Sequence, residues 1–480
     1  MKGSTLALAA ELVTSVCAFK LVQRENPRVV QADIRRRHVN PLEHDRLRRR
    51  DTIQVPLDNQ ETLYFMNASL GTPEQNFLLH IDTGSSDLWV NARNSPLCSN
   101  RALPCAQAGV YNANDSSTYE FVNSVFNISY VDGSGASGDY ARDTFHMNDI
   151  TVDDLQFGIG YRSSSPEGIL GIGYTVNEVQ VNRAGLQPYP NLPQKLVDDK
   201  KINTNAYSLW LNDLDASSGN ILFGGVDTAK FDGTLSKLPI IPEQGVYAEF
   251  IIALTALGEN GQKGSIFQNE EVPVLLDSGS SLMYLPDNIA TAMYEKFNAD
   301  YDSTQGAAYC DCDIANQEGS LDFTFSADGP TISVPINELV LAMGVSRGEE
   351  VCILGIGPAG DSISVLGDTF LRSAYVVYDL ENNQIALAQT VFNSTQSSIQ
   401  EIETGDDGVP TATEVPNAVS SLNVQGGGGR IGGPSISGSP NNPNGNSQSS
   451  GHGFPAATPL PWHAAGAAIA GGILAGFNGF

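Results

Sequence analysis

The chain has 480 residues, and its 26 basic and 54 acidic side chains give a formal net charge of −28. This length allows two or three domains with large cores, and a hydrophobic content of 41% excludes a wholly disordered chain. The negative charge argues against a nucleic-acid-binding protein, which needs a basic surface.

Residues 1–18 have the features of a secretory signal peptide. Lys2 precedes an apolar stretch, and Val16-Cys17-Ala18 offers the small residues at which a signal peptidase cuts. The chain is therefore expected to enter the secretory pathway.

Residues 19–50 carry ten basic and four acidic side chains and end in Arg49-Arg50. A basic run can mark a nucleic-acid patch, but behind a signal peptide it is better explained as a pro-segment. We expect a processing protease to cut after Arg50. The remainder then carries a formal net charge of −34, so the basic pro-segment should bind it electrostatically.

The middle of the chain consists of short apolar, β-branched and aromatic runs separated by Gly, Asn, Asp and Pro. This pattern predicts an all-β architecture. One helix is predicted, over Asn288–Phe297. The clearest predicted strands are Tyr64–Leu70, Phe77–Ile81, Leu88–Val90, Phe126–Tyr130, Tyr207–Leu211, Val274–Leu276, Ile363–Leu366 and Ala374–Tyr378.

One pair of motifs occurs twice. Asp82-Thr-Gly-Ser-Ser follows an apolar strand and is followed 89 residues later by the Gly of Ile169-Leu-Gly171. Asp277-Ser-Gly-Ser-Ser also follows an apolar strand, and the Gly of Val365-Leu-Gly367 comes 90 residues after that aspartate. Two motifs at nearly equal offsets predict two similar lobes, which we place at 51–230 and 231–393.

The repeated motif brings one carboxylate from each lobe into a glycine turn rich in hydroxyl groups. Glycine permits a tight turn, and the hydroxyl and N–H groups can orient the carboxylate. Two facing carboxylates do not both ionise easily and share a proton. Such a pair is an acid and a base at once, which suits attack of water on a peptide bond.

These motifs resemble those of the pepsin-like aspartic proteases, over roughly residues 55–390. The dibasic site and the C-terminal tail described below resemble the fungal GPI-anchored branch with yapsin-like and candidapepsin-like enzymes. The resemblance implies an all-β, bilobal fold with the active site in the cleft between two similar β lobes. It implies an endopeptidase that acts as a monomer on protein or peptide substrates, without a cofactor or metal.

The resemblance also implies roles for individual residues. Asp82 and Asp277 would be the catalytic pair, and the flap hairpin would carry Tyr130, whose hydroxyl Trp89 would bind. The supporting residues of the two loops would be Thr83, Gly84, Ser85, Ser278, Gly279 and Ser280, and the flap turn would be formed by Asp132, Gly133 and Ser134.

Asp132 has two interpretations that the sequence leaves open. Fungal relatives that accept Lys or Arg before the scissile bond carry an acidic residue here. An Asp-Gly pair is also an ordinary hairpin turn that needs no substrate.

The resemblance implies two disulfides. Cys98–Cys105 would close a short loop after the first motif. In the second lobe Cys352 would pair with Cys312 or Cys310, and the family's spacing favours Cys312, which leaves Cys310 unpaired.

The C-terminal part of the chain changes composition twice. Residues 394–463 are rich in Ser, Thr, Asn, Gly and Pro and are expected to form a flexible stalk. Residues 464–480 are apolar, too short to span a membrane, and match a GPI-attachment tail. The candidate attachment residues are Ser450, Ser449, Gly451 and Asn446, and the predicted N-glycosylation sites are Asn67, Asn114, Asn127 and Asn393.

Other chemistries lack their motifs. A His-Glu-x-x-His zinc motif does not occur, and no Gly-x-Ser-x-Gly elbow has a plausible histidine partner. A glycosidase also uses two carboxylates, but the duplicated aspartate turns are unexpected there. The remaining alternative is an inactive cell-wall or binding protein with the same fold. We predict a secreted, cell-surface aspartic endopeptidase held to the membrane by a lipid anchor and active at acidic pH.

Overall fold

Strands dominate the structure, a computed structural model that describes residues 27–37, 63–130, 133–216, 218–346 and 348–424. All of these residues lie in the larger of two units, residues 1–434. The smaller unit, residues 435–480, lies outside the described residues.

The strands up to the end of the first lobe are β1 Val30–Arg37, β2 Leu63–Leu70, β3 Gln75–Asp82, β4 Leu88–Asn91, β5 Glu120–Ser129, β6 Gly135–Met147, β7 Ile150–Ser163, β8 Gly168–Gly171, β9 Ala206–Trp210, β10 Ser218–Phe223 and β11 Gly225–Asp227. Those that follow are β12 Phe231–Pro239, β13 Ile251–Glu259, β14 Gln262–Leu276, β15 Met283–Leu285, β16 Asp300–Asp302, β17 Ala307–Cys310, β18 Ser320–Thr324, β19 Thr331–Pro335, β20 Val340–Ser346, β21 Glu349–Leu354, β22 Ile356–Pro358, β23 Ser364–Leu366, β24 Ala374–Asp379, β25 Gln384–Thr390, β26 Ile399–Glu401 and β27 Ala412–Glu414. The described helices are short: α1 Val179–Ala184, α2 Leu192–Asp198, α3 Asp287–Lys296, α4 Ile336–Leu339 and α5 Asp368–Leu371.

The predicted all-β, two-lobed architecture is confirmed, and α3 confirms the predicted helix with a one-residue shift. In the first lobe, β3 runs parallel to β8, and β8 also pairs with β4. In the second lobe, β14 runs parallel to β23, and β23 also pairs with β15. The same local topology therefore lies behind both aspartates.

One large sheet continues from the first lobe into the strands that connect the lobes. Its order is β27-β12-β25-β24-β9-β10-β1-β2-β3-β8-β4-β7-β6-β5. The second lobe has a seven-stranded sheet, β19-β18-β13-β14-β23-β15-β22, and a four-stranded one, β16-β17-β21-β20. A single apolar core contains buried side chains from both lobes, such as Leu79 and Leu276.

Strand β1 comes from the predicted pro-segment and lies inside the large sheet. It pairs antiparallel with β10 on one side and β2 on the other. Its alternate side chains Val30, Ala32 and Ile34 are buried, while Gln31 and Asp33 are exposed. Binding of this strand therefore combines two backbone ladders with apolar burial and is not electrostatic alone.

Residues 394–424, here called the C-terminal strap, pack on the catalytic unit. Within the strap, β26 pairs with β11 and β27 pairs with β12. Ile402 and Val409 are buried in an apolar cluster with Trp210. The expectation of a flexible stalk from residue 394 is therefore wrong for the strap; residues 425–463 lie outside the described residues.

A buried lysine supports this contact between strap and sheet. The side chain of Lys237, on β12, is 3% exposed. Its Nζ lies 3.2 Å from Asp407 Oδ1 and 3.1 Å from Glu414 Oε1, both on the strap. The strap packs on the sheet without a continuous apolar run in its sequence. Separate Ile and Val residues of the strap face one apolar cluster and are buried there.

Candidate active site

The two aspartate loops hold each other through reciprocal hydrogen bonds. Thr83 Oγ1 accepts from Ser278 N at 2.9 Å and donates to Leu276 O at 3.0 Å. Ser278 Oγ accepts from Thr83 N at 3.2 Å and donates to Ile81 O at 3.0 Å. Because all four groups are buried and partnered across the lobes, the relative position of the loops is fixed.

Each aspartate is buried and accepts an equivalent pair of hydrogen bonds. Gly84 N donates to Asp82 Oδ1 at 2.8 Å, and Gly279 N donates to Asp277 Oδ1 at 2.9 Å. The hydroxyl of Ser85 donates to Asp82 Oδ2. In the second lobe, Ser280 Oγ donates to Asp277 Oδ2 at 2.8 Å. Two donors per carboxylate set its orientation and favour its ionised form.

Gly279 shows how closely the two carboxylates approach each other. A Cβ atom built on this glycine would lie within 3.0 Å of both Asp82 Oδ1 and Asp277 Oδ1. Both inner oxygens therefore lie beside one point, and only a residue without a side chain fits there.

The second repeated motif lies directly behind these loops. A Cβ on Gly171 would be 2.6 Å from the backbone nitrogens of Ser86 and Asp87. One on Gly367 would be 2.9 Å from the carbonyl carbon of Ser280. The paired glycines allow strands β8 and β23 to pass against the aspartate loops.

The flap hairpin is formed by β5 and β6, with a turn closed by Gly133 N donating to Tyr130 O at 3.0 Å. Trp89 Nε1 donates to the Tyr130 hydroxyl at 2.7 Å, as the sequence predicted. Gly133 has a φ of 79° and Ser134 is buried. Asp132 lies outside the described residues.

The sequence did not predict a polar cluster behind the first loop. The buried Asp87 accepts three hydrogen bonds, from Tyr140 Oη at 2.5 Å, Tyr189 Oη at 2.8 Å and Val179 N at 2.9 Å. It thereby ties the loop of Asp82 to strand β6 of the flap and to helix α1. We call these side chains the Asp87 cluster.

Glu178 adds a second buried carboxyl group to this cluster. It accepts from Tyr189 N at 2.9 Å. Burial, and secondly the charge of Asp87, raise the pKa of Glu178 to about 10. Burial also raises the pKa of Asp87, against the effect of its three donors. The pair therefore holds at least one proton at acidic and neutral pH.

Both predicted disulfides are present. Cys98 is bonded to Cys105, and Cys312 is bonded to Cys352. Cys310 is free and half-buried. It lies opposite Cys352 in the register of β17 and β21, so both candidate partners of Cys352 lie close to it.

The four predicted glycosylation sites are exposed. Asn67 lies on β2, Asn127 lies on β5, and Asn114 lies in a short helical turn. The amide nitrogen of Asn393, to which a glycan would be attached, donates to Asp213.

Several predictions concern residues outside the described ranges. They are the signal peptide 1–18, the cleavage after Arg50, the apolar tail 464–480, and the attachment candidates Asn446, Ser449, Ser450 and Gly451. Within the described ranges, no helix has the length and apolar character needed to cross a membrane.

Two similar β lobes that each present one braced aspartate, with a hairpin flap in the first lobe, define a pepsin-like aspartic protease fold. A solved aspartic proteinase from Irpex lacteus shares this fold, with a TM-score of 0.58 and 22% identity over 77% of this chain and 100% of that chain. The family model for eukaryotic aspartyl proteases matches residues 63–390. The chain belongs to the eukaryotic aspartyl protease family.

Proteins with similar sequences identify the type of protease activity. The probable aspartic-type endopeptidase opsB of Aspergillus oryzae is 54% identical over 427 residues, 87% of each chain. The probable aspartic-type endopeptidase OPSB of Trichophyton verrucosum is 50% identical over 88% of each chain. Yapsin-3 of Saccharomyces cerevisiae is 35% identical over 75% of this chain and 72% of its own. The protein is an aspartic-type endopeptidase, similar at higher identity to the opsB proteins than to the yapsins.

Proposed function

We propose that Asp82 and Asp277 are the catalytic pair of this endopeptidase. The observation that carries the proposal is their shared geometry: two buried, equally braced carboxylates whose inner oxygens lie beside Gly279. Two such groups hold one proton between them at acidic pH.

In the proposed mechanism, the ionised carboxylate takes a proton from a water molecule as that water attacks the peptide carbon. The protonated carboxyl group donates its proton to the carbonyl oxygen. Collapse of the tetrahedral intermediate then breaks the C–N bond: the carboxyl group that took the water proton gives a proton to the leaving amine, and the other carboxylate recovers one from the diol hydroxyl. Ser85 and Ser280 keep the carboxylates oriented through their outer oxygens. Tyr130, held by Trp89, covers the site from the flap.

The test is cleavage of a peptide library by the purified protein between pH 3 and pH 7. Asp82→Asn and Asp277→Asn should each reduce kcat by about 10³-fold or more, because each removes one member of the acid–base pair. Undiminished cleavage by Asp82→Asn would overturn the mechanism. Activity that stays flat from acidic to neutral pH would contradict the shared proton.

We also propose that the enzyme accepts Lys or Arg before the scissile bond. The acidic residue Asp132, two positions after Tyr130 in the sequence, supports this specificity. Replacement by threonine should then remove cuts after basic residues while other cuts remain. Equal loss of all cuts would instead assign Asp132 to the turn.

Secretion and GPI anchoring complete the proposal. The signal-like residues 1–18, the dibasic Arg49-Arg50 and the small residues around Ser450 before an apolar tail support them. Treatment of cells with a phosphatidylinositol-specific phospholipase should release the enzyme into the medium. An enzyme that stays in the membrane fraction after treatment would argue against the anchor.

A further inference from the structure

A pocket lies beside the proposed catalytic loop on the flap side. Its walls are Gly84 and Ser85 of that loop, the flap strand from Ile128 to Tyr130, and the face of helix α1 that carries Asn182 and Arg183. A peptide bound across Asp82 and covered by Tyr130 would therefore place a side chain in or beside this pocket.

Two charged residues line the pocket, and they differ in what they present to a ligand. Asp87 is 1% exposed, and both of its carboxylate oxygens already accept hydrogen bonds within the Asp87 cluster. Arg183 is exposed. Of the two charged residues that line this pocket, only Arg183 is therefore open to direct contact with a ligand.

Few ionised side chains lie on the elements packed against the helix that carries Arg183. Burial raises the pKa of the nearby Glu178 to about 10, so its carboxyl group is neutral at working pH. The elements packed against α1 include β5 and the helical turn Thr175–Asn177, and the only titratable side chain on these two is Glu120, at the end of β5 far from the flap turn. Asp87 also contacts α1, by accepting from Val179 N, but its carboxylate is buried.

We propose that Arg183 makes this pocket a subsite for an acidic side chain of the substrate, a proposal that rests on the proposed catalytic role of Asp82 and Asp277. Arg183 also lies in the last turn of α1, where a cation stabilises a helix end. The two roles are separable, because only the subsite changes which peptides are cut.

The experiment uses a peptide that the purified protein cleaves, with Glu, Gln, Lys or cysteic acid placed in turn at each position around the scissile bond. At one position, cysteic acid should raise kcat/KM about fivefold over Gln, and Lys should lower it by a similar factor, as expected for an exposed charge pair. Glu should match cysteic acid at pH 5.5 but approach Gln at pH 3, where it is protonated. Added salt should reduce the preference.

Arg183→Gln should bring these ratios to about one, and Arg183→Glu should reverse them. Lys200→Glu is the matched control, since this exposed lysine changes the net charge equally and does not line the pocket. Ratios unchanged in Arg183→Glu, or changed equally in Lys200→Glu, would overturn the subsite while Asp82-dependent cleavage remains. Loss of any dependence on Asp82 would overturn both proposals.

Discussion

The two lobes build the same loop and support it differently. Both aspartates accept a glycine N–H and a serine hydroxyl, and the loops brace each other through Thr83 and Ser278. Five residues after each aspartate the symmetry ends, with Asp87 in the first lobe and Leu282 in the second. Leu282 is buried in an apolar cluster with residues such as Leu341 and Ile353.

The difference follows the position of the flap. Asp87 connects its loop to Tyr140 on the flap strand β6 and to helix α1, so the first lobe links its aspartate to the substrate-covering hairpin by hydrogen bonds. The second lobe has no described link of this kind at Leu282 and relies on apolar packing. The two carboxylates thus accept the same kinds of hydrogen bond, although one loop is held from behind by hydrogen bonds and the other by apolar packing.

The largest expected effect on activity comes from a substitution in the aspartate loops, which the two lobes share. Gly279→Ala would place a Cβ within 3.0 Å of the inner oxygens of both aspartates. We expect kcat to fall at least about 100-fold, since misplacing reacting groups by about 1 Å has this consequence. Steady-state kinetics at acidic pH measures it.

Gly233→Ala is a suitable control for that variant. Gly233 has a positive φ of 74° and no atom within 4 Å of an added Cβ, so backbone strain is tested without contact to the site. Activity of Gly279→Ala equal to that of Gly233→Ala would show that the carboxylates are not as close as described.

The next prediction concerns Asp87 and Leu282, the residues at which the two loops differ, each replaced by the other's residue type. Asp87→Leu leaves the Val179 N–H and two tyrosine hydroxyls without their acceptor, and we expect a loss of about 3–5 kcal/mol in the free energy of unfolding. Leu282→Asp buries a carboxyl group in an apolar cluster and should cost a similar amount. Denaturant unfolding at pH 4 measures both.

Asp87→Asn distinguishes hydrogen bonding from packing in this exchange. It retains one acceptor oxygen of nearly equal size and should cost only about 1–2 kcal/mol. If Asp87→Leu were no less stable than Asp87→Asn, the Asp87 cluster would not be what holds the loop to the flap.

Local motifs made the shared part of the site predictable. The aspartates and their hydroxyl and N–H donors follow from short repeated segments, whereas the Trp89–Tyr130 hydrogen bond follows from the family resemblance. The second glycine motif at Gly171 and Gly367 identified the repeat because close backbone passage admits no other residue.

The parts that differ between lobes depend on distant residues. Asp87 is visible beside the first motif, but its partners Tyr140 and Tyr189 lie 53 and 102 residues away. The strap was obscured because its Ser, Thr and Gly composition hides a few well-placed apolar residues such as Ile402. Strand β1 was obscured because arginines surround its short apolar alternation.

A smaller effect should appear in the pH dependence of stability. The pKa of Glu178 is raised by burial to about 10, whereas an unfolded glutamate titrates near 4.3. The folded state therefore binds more protons between these values, and this group makes stability fall as pH rises above about 4. Glu178→Gln should remove this penalty and stabilise the protein at pH 7 by up to roughly 3 kcal/mol.

A measurement near pH 3 is the control for Glu178→Gln. Near pH 3 the glutamate is protonated in both states, so the variant should match the wild-type melting temperature within about 1 °C, as expected when the free energy of unfolding changes by only a few tenths of a kcal/mol. A stabilisation of equal size at pH 3 and pH 7 would mean that the effect is not ionisation.

The smallest effect is a difference between the two disulfides. Cys98–Cys105 closes a loop of sequence separation 7, and Cys312–Cys352 one of separation 40. Loop-closure entropy predicts that removing the second costs about 1.5 kcal/mol more than removing the first.

Because Cys310 faces Cys352 across β17 and β21, it could replace Cys312 in a single variant. The comparison therefore uses paired Cys→Ala replacements in a Cys310→Ala background, followed by denaturant unfolding. Equal losses for the two pairs would contradict the prediction from loop-closure entropy.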